Sequence, residues 1–355
     1  MSASRPVLGI LATRREGSWR FHGNVAYFRR LCALGGRHGL LVTVFTPEDL
    51  GDASMRAHVF ERGAWRRREV ALPSVVYNRV ADRLLERTPA VAAAKRFFAE
   101  RGIPFFNRGF FDKWSVHRWA SRSPEARRWL LPTERVGDAA QVRDFLENHG
   151  LVYFKPVDGR AGEGILRARA VDARWELVSD GARARWLASP AAVARAVVRA
   201  TRDRAHVMQR GVALAVVHGR PFDLCVLAQK DERGRWATTG TGASVATGPG
   251  VIITHYGSSF TPAHALAEAF GLTEARRIQR EARDLGPILA AAIERHGAAD
   301  DGAALGELSL DVGVGADGRL WLFEANAKPM PSNLPEIRAR AAGRLLDFCR
   351  HLARG

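Results

Sequence analysis

Cysteine is scarce in this sequence: three residues in 355, at Cys32, Cys225 and Cys349. A set that is odd in number and widely scattered offers neither a disulfide framework nor a zinc-ligand spacing. Long apolar runs are missing as well, and none approaches the ~20 residues that a bilayer-crossing helix needs. The opening MSASRPVLGIL lacks the long apolar region and small-residue cleavage site of a secretory signal, so it reads as a first strand. A cytoplasmic protein with no membrane partner is the expectation. Internal repeats and low-complexity linkers are also absent. Lysine is nearly so, with only Lys95, Lys113, Lys155, Lys230 and Lys328. In a chain that uses arginine for almost every exposed cation, a compact ammonium point charge needs a separate reason.

What is present describes a globular protein. Hydrophobic residues make up 46% and charged residues 26%, and the length suits two or three packed units. The formal net charge of +17 raises a nucleic-acid reading. The arginines, however, are spread along the chain and mixed with acids, as in EARRW and EARRIQREARD. That pattern favours a solvated exterior over a nucleic-acid face, and attraction for anionic nucleotides fits either.

The first hundred residues alternate strand and helix: strands at 7–11, 40–45 and 74–80, helices at 24–38 and 89–101. Such units imply a small, mostly parallel sheet. From about 105 the texture changes to helices at 112–122, 138–149 and 190–204, and a strand at 151–156. A hairpin follows at 165–180, an extended stretch at 206–214 and strands around a glycine turn at 218–244. A long amphipathic helix at 274–296, a hairpin at 305–326 and a closing helix at 335–353 complete the chain. The expected organisation is a parallel α/β unit over 1–105 and a mixed α+β unit over 106–355.

The strongest local signal is LGELSLDVGVGADGRLWLFEANAKP (305–329). Asp317-Gly318 is a hairpin turn signal between two apolar runs. A loop centred there sets Asp311 opposite Glu324 and Ser309 opposite Asn326, and facing residues share one side of the sheet. Two carboxylates and an amide oxygen then converge. Like charges placed opposite each other destabilise a sheet, so a cation between them is expected, and oxygen donors of this type suit Mg²⁺ or Mn²⁺. A merely solvated acidic face is the alternative.

FKPVDGRAGEGI (154–165) sets Lys155 at a strand end, followed by Gly159, Gly162 and Gly164, whose backbone can approach a phosphate chain closely. It is neither a P-loop nor a Rossmann fingerprint, and alone it is equally a flexible turn. Lys113 opens a helix whose N-terminal end favours anions, although an exposed lysine beside a capping Asp112 gives the same pattern. VMQRGV (207–212) is a buried strand that meets a polar pair.

In order along the chain, NRGFFDKW, YFKPVDGRAGEGI, VMQRGV, GRPFDLCVLAQ and LSLDVGVGADGRLWLFEANAKP resemble the ATP-grasp superfamily. They are most similar to its group of endospore coat-associated proteins of the YheC/YheD type, with glutathione synthase and ribosomal-protein glutamate ligases as more distant relatives. VVYNR (75–79) and VLGIL also resemble that group's N-terminal region. The resemblance implies nucleotide held between two α+β subdomains, behind a small parallel α/β domain. Lys113 and Lys155 would contact phosphates, Gly162 and Gly164 would belong to a closing loop, and Gln209, Arg210 and Val212 to an adenine hinge. Asp311, Glu324 and Asn326 would hold Mg²⁺. The implied activity is ADP-forming joining of a small-molecule or peptide carboxylate to an amine, with Lys155, Lys328 and His255 as catalytic candidates and Arg79 as a substrate contact. Cys225 and Ser244 stand where the relatives usually carry arginine, and His255 where they carry asparagine. A nucleotide-binding protein of low or no turnover, with an assembly or regulatory role, therefore stays open beside the ligase, and so does oligomerisation.

Overall fold

The computed structural model describes residues 5–15, 17, 20–159, 162–179, 183–246, 259–301 and 304–354. Its elements form three six-stranded sheets and one two-stranded ribbon. The first sheet grows from Val7–Leu11, whose five residues are all buried. An unbroken apolar run of this kind suits a strand covered on both faces. It pairs in parallel with Leu41–Phe45 and Val75–Asn78, and the latter pairs in parallel with Phe105–Phe106. The helix Val25–Gly35 starts where the Asn24 side chain accepts from the Tyr27 N–H at 3.0 Å, and it presents Phe28 and Leu31 to one face of this sheet. Pro89–Glu100 covers the other face with Val91, Ala94 and Phe98.

Two features of this part escaped the sequence reading. An antiparallel hairpin, Ser54–Glu61 with Ala64–Ala71, extends the sheet beyond Leu41–Phe45. Its outer strand is almost wholly exposed and carries Arg66, Arg67 and Arg68, so no apolar alternation announces it. The C-terminal helix Pro335–Leu352 also reaches back to the first sheet, where Ala342, Leu345, Leu346, Phe348 and Cys349 join the core of Leu8, Ile10 and Phe28.

The second sheet is antiparallel. It runs from Arg185–Leu187 through Arg174–Ser179, Leu166–Val171, Leu151–Pro156 and His206–Arg210 to Thr133–Arg135. The helices Ala139–Asn148 and Pro190–Thr201 pack on one face, burying Val142, Leu146, Val193 and Val197 against Val152 and Phe154. Its other face is left for the cleft described below. The third sheet orders Ser259–Phe260, Trp236–Val245, Arg220–Lys230, Glu307–Val314 and Leu320–Asn326, with Val216–Val217 as a sixth strand pairing with Arg220–Lys230 off this path. Behind it lie Lys113–Ser121 and the helical span Pro262–Asp301. That span begins earlier than the expected 274 because a preceding helical stretch abuts it across a break at Gly271, where φ is 76° and ψ 167°. Among the described residues no helix is long and apolar enough to cross a membrane.

The C-terminal hairpin has the pairing expected from its turn, reached by two offsets that cancel. Gly318 has φ of 76°, and its N–H donates to the Gly315 carbonyl at 2.9 Å. Next to the turn the pairs are Val314 with Leu320 and Val312 with Leu322, one residue away from the simple arithmetic. Phe323 is then bulged out, which restores Asp311 opposite Glu324 and Ser309 opposite Asn326.

Candidate nucleotide and metal site

Lys155 owes its position to alternation. In Leu151–Pro156 the residues Val152, Phe154 and Pro156 are buried, which sends Tyr153 and Lys155 to the opposite side. The Lys155 Nζ donates to Gln209 Oε1 at 2.6 Å and lies 5.2 Å from the centre of the Phe323 ring. Burial, reinforced by the neighbouring Lys113 and offset in part by Glu324 and Asp311, brings the Lys155 ammonium down to about 8. Gln209 in turn donates to Thr133 Oγ1 at 3.0 Å, and that hydroxyl donates to the Leu131 carbonyl at 2.9 Å. The lysine thus ends a short polar chain that crosses three segments.

Lys113 arrives from the other side. It is the first residue of its helix, after Asp112, which caps it by accepting from the Ser115 N–H at 2.8 Å. The Lys113 backbone N–H donates to the Val157 carbonyl at 2.9 Å, and its Nζ donates to the Gly159 carbonyl at 2.8 Å and to Glu324 Oε1 at 3.0 Å. The helix start is therefore fastened to the glycine-rich loop and to the third sheet at once. Gly162 and Gly164 have φ of 81° and 73°, backbone that favours glycine.

Between the two sheets lies a narrow cleft lined by Lys113, Lys155, Gln209, Thr133, Phe323 and Glu324 among others. Val116, Leu130, Val207 and Leu322 supply apolar walls to it. Sequence reasoning had not singled out Thr133, Leu130 or His117. His117 was legible, since it stands one helical turn from Lys113 on the same face; its imidazole is pushed down by burial. Thr133 and Leu130 carry no local signal, because their role comes from where their segment runs: Leu130 bridges to Leu322 of the hairpin.

Asp311 is buried, while Glu324 and Asn326 are half-buried. The Asn326 amide nitrogen lies 3.3 Å from Asp311 Oδ2. Cys225 pairs with Asp311 on its other side, so Cys225, Asp311 and Glu324 form one row across three strands, and Ser244 pairs with Asp223 two residues along the strand. Two carboxylates and an amide oxygen are a hard-oxygen donor set, and they fit Mg²⁺ or Mn²⁺.

Other residues named from the sequence lie elsewhere. Arg210 holds its guanidinium carbon 5.3 Å from the Trp321 ring centre, and neither it nor Val212 lines the cleft. Lys328 is buried outside the cleft. It donates to Glu86 and, at 3.0 Å, to the Val80 carbonyl, with its Nζ 4.4 Å from the Phe110 ring centre. Burial brings it to about 8 against the pull of Glu86. Arg79 is buried too, donating to the Pro329 carbonyl at 3.0 Å and lying 3.5 Å from Glu307, which also accepts from the Tyr77 hydroxyl. Lys328 and Arg79 thus join the first sheet to the end of the C-terminal hairpin. His255 lies outside the described residues.

The chain is 26% identical over 363 residues to the endospore coat-associated protein YheD of Bacillus subtilis (strain 168), covering 98% of this chain and 79% of that protein. Among solved structures it is similar to D-alanyl-alanine synthetase A from Vibrio cholerae O1 biovar eltor str. N16961, with a TM-score of 0.54 and 12% identity over 99% of this chain and 98% of that one. It is also similar to the D-cycloserine synthetase DcsG, with a TM-score of 0.53 and 17% identity over 96% and 99%. At these identities the structural likeness is one of fold, and that fold is ATP-grasp. The family model described as YheC/D-like ATP-grasp matches residues 102–352, and the chain belongs to that family.

Proposed function

We propose that the protein is a MgATP-dependent ligase that joins a carboxylate to an amine through an acyl phosphate. The observation that carries this reading is the meeting of two ammonium groups, Lys113 and Lys155, with Glu324 in one cleft. ATP would place its adenine against Leu130, Val207 and Leu322 and its phosphates at the two ammonium groups and the backbone around Gly162 and Gly164. Asp311, Glu324 and Asn326 would hold Mg²⁺, which when bound supplies charge neutralisation at the phosphate oxygens. The substrate carboxylate oxygen forms a bond to the γ-phosphorus as the bond to the ADP oxygen breaks. The amine nitrogen then bonds to the acyl carbon, inorganic phosphate leaves with its electron pair, and the nitrogen loses a proton to solvent. The lysines stabilise charge on the transferring group. The synthetase names of the fold relatives are consistent with this chemistry.

The row of Cys225, Asp311 and Glu324, with Ser244 beside Asp223, favours keeping a second reading, a nucleotide-binding protein without turnover. Neither Cys225 nor Ser244 can offer a cation to an acyl phosphate. A screen of ADP release with ATP, Mg²⁺ and pooled amino acids and peptides separates the two. The ligase reading expects release that depends on both a carboxylate and an amine donor. Tight ATP binding with no release in any mixture would replace it with the second reading.

A further inference from the structure

We propose that His218, His264 and Glu268 form a binding site for one divalent transition-metal ion of the Zn²⁺ class, separate from the Asp311–Glu324 site. Among the described residues this is the one group of three or more His, Cys, Asp and Glu side chains whose donor atoms converge, all within 4.8 Å of one another. Two local structures bring them together. Val217 pairs with Arg220 around a two-residue turn in which His218 and Gly219 have φ of 49° and 71°, the backbone of a tight hairpin turn. His264 and Glu268 stand four residues apart in the helical span Pro262–Asp301, which puts them on one helix face. The turn meets that face with His218 Nδ1 3.1 Å from Glu268 Oε1, while His264 Nε2 lies 3.8 Å from Glu268 Oε2.

These separations, one to each oxygen of the Glu268 carboxylate, suit an ion pair and are also close enough for the three side chains to share one ion. Bonds of about 2.0–2.1 Å at tetrahedral angles place two donor atoms about 3.3 Å apart, and the two distances bracket that value. Small rotations of exposed side chains would close the third edge. The Glu268 carboxylate is held in place from behind, because the His218 backbone N–H donates to its Oε1 at 2.8 Å. Carboxylates so fixed make better-oriented ligands. Two imidazole nitrogens with one carboxylate oxygen select Zn²⁺, Co²⁺ or Ni²⁺ over Mg²⁺. Three protein ligands leave a fourth position to water. His218 and His264 are more than half exposed, so an ion has a direct path in. Exposed His–Glu pairs contribute little on their own, whereas an ion would tie the 217–220 turn to a helix segment 50 residues on and just before the break at Gly271. The ion would act as a clip for the outer part of the third sheet.

The test uses the full chain, prepared without a polyhistidine tag and stripped with chelator, in buffer containing Mg²⁺. ZnCl₂ is titrated calorimetrically and CoCl₂ by visible absorption. One ion per chain is expected, with a rise in melting temperature on Zn²⁺ addition. His264→Ala and Glu268→Gln should each weaken binding about tenfold or more and abolish the thermal rise. Both lie on an exposed helix surface, so the variants should keep the parent's circular dichroism and ATP binding. Absence of stoichiometric uptake, or uptake unchanged in the double variant, would overturn the proposal.

Discussion

Lys113 and Glu324, 211 residues apart in sequence, meet at 3.0 Å across the cleft, and the Lys113 side chain is only 10% exposed. The pair ties the start of a helix to the last strand of the third sheet. It also makes each partner the other's competitor: a phosphate would draw Lys113 away from Glu324, and a divalent ion would draw Glu324 away from Lys113. Glu324→Ala should therefore separate two properties. Mg²⁺-dependent ADP release should fall by about a hundredfold or more, the size of effect seen when one charge-stabilising group is lost. ATP binding measured in EDTA should stay equal or tighten, because Lys113 is released. Parent-like turnover in the variant would remove Glu324 from the metal assignment.

Lys155 gives a prediction in pH. Its folded value of about 8 lies below the ordinary 10.5 for lysine, so the folded state disfavours the charged form. That penalty applies in full below about pH 8 and is relieved as pH rises from there toward 10.5. Bound phosphate reverses the balance by favouring the ammonium. ATP binding at pH 8 should then take up about half a proton per nucleotide, read as the difference in calorimetric enthalpy between two buffers of unlike ionisation heat. Lys155→Met should lose most of this uptake. Lys328 also lies near 8 but does not line the cleft, so its contribution cancels in the comparison. Equal uptake in parent and variant would show that Lys155 does not face the phosphates.

The same residues show what the sequence could and could not reveal. Lys155, Asp311 and Glu324 were legible because strand alternation and a hairpin turn are local rules, and the bulge at Phe323 happened to restore the simple register. Lys113 was legible from its cap. Lys328 was expected to be catalytic and Arg79 to contact substrate; their observed partners Glu86 and Glu307 lie more than two hundred residues away, and no local pattern carries such contacts. Thr133 and Leu130 were invisible for the same reason. The hairpin Ser54–Glu61 with Ala64–Ala71 was missed because its outer strand sends just Trp65 and Val70, five residues apart, toward the core, which leaves no apolar alternation.

The three thiols should behave alike despite their different places. Burial pushes Cys32 up to about 12 and raises Cys225 and Cys349 as well. Asp311 and Asp223 add to the effect at Cys225, and Glu307 at Cys349. Since the thiolate is the reactive form, a disulfide reagent at pH 8 should find no fast-reacting thiol in the native protein. Denaturant should release three, the number in the sequence. A single fast thiol in the native state that Cys225→Ser removes would mean that the row beside Asp311 is open to solvent and less negative than its neighbours imply.

Gly313 and Phe323 couple the hairpin's bulge to the cleft. A Cβ on Gly313 would sit 2.0 Å from the Phe323 Cζ, a distance no methyl group tolerates, so the bulged ring lies where it does because residue 313 has no side chain. That ring's centre is 5.2 Å from the Lys155 Nζ, and the ring forms part of the cleft wall. Gly313→Ala should drive the ring outward, at a cost of about 1–3 kcal/mol typical of overpacking, and should weaken ATP binding through the displaced wall. Phe323→Leu removes the ring and much of the clash. In that background the alanine should cost less than half as much in denaturant unfolding, a positive coupling between neighbours. Strict additivity of the two substitutions would show that the ring can leave Gly313 freely, and that the bulge rather than the glycine sets the wall of the cleft.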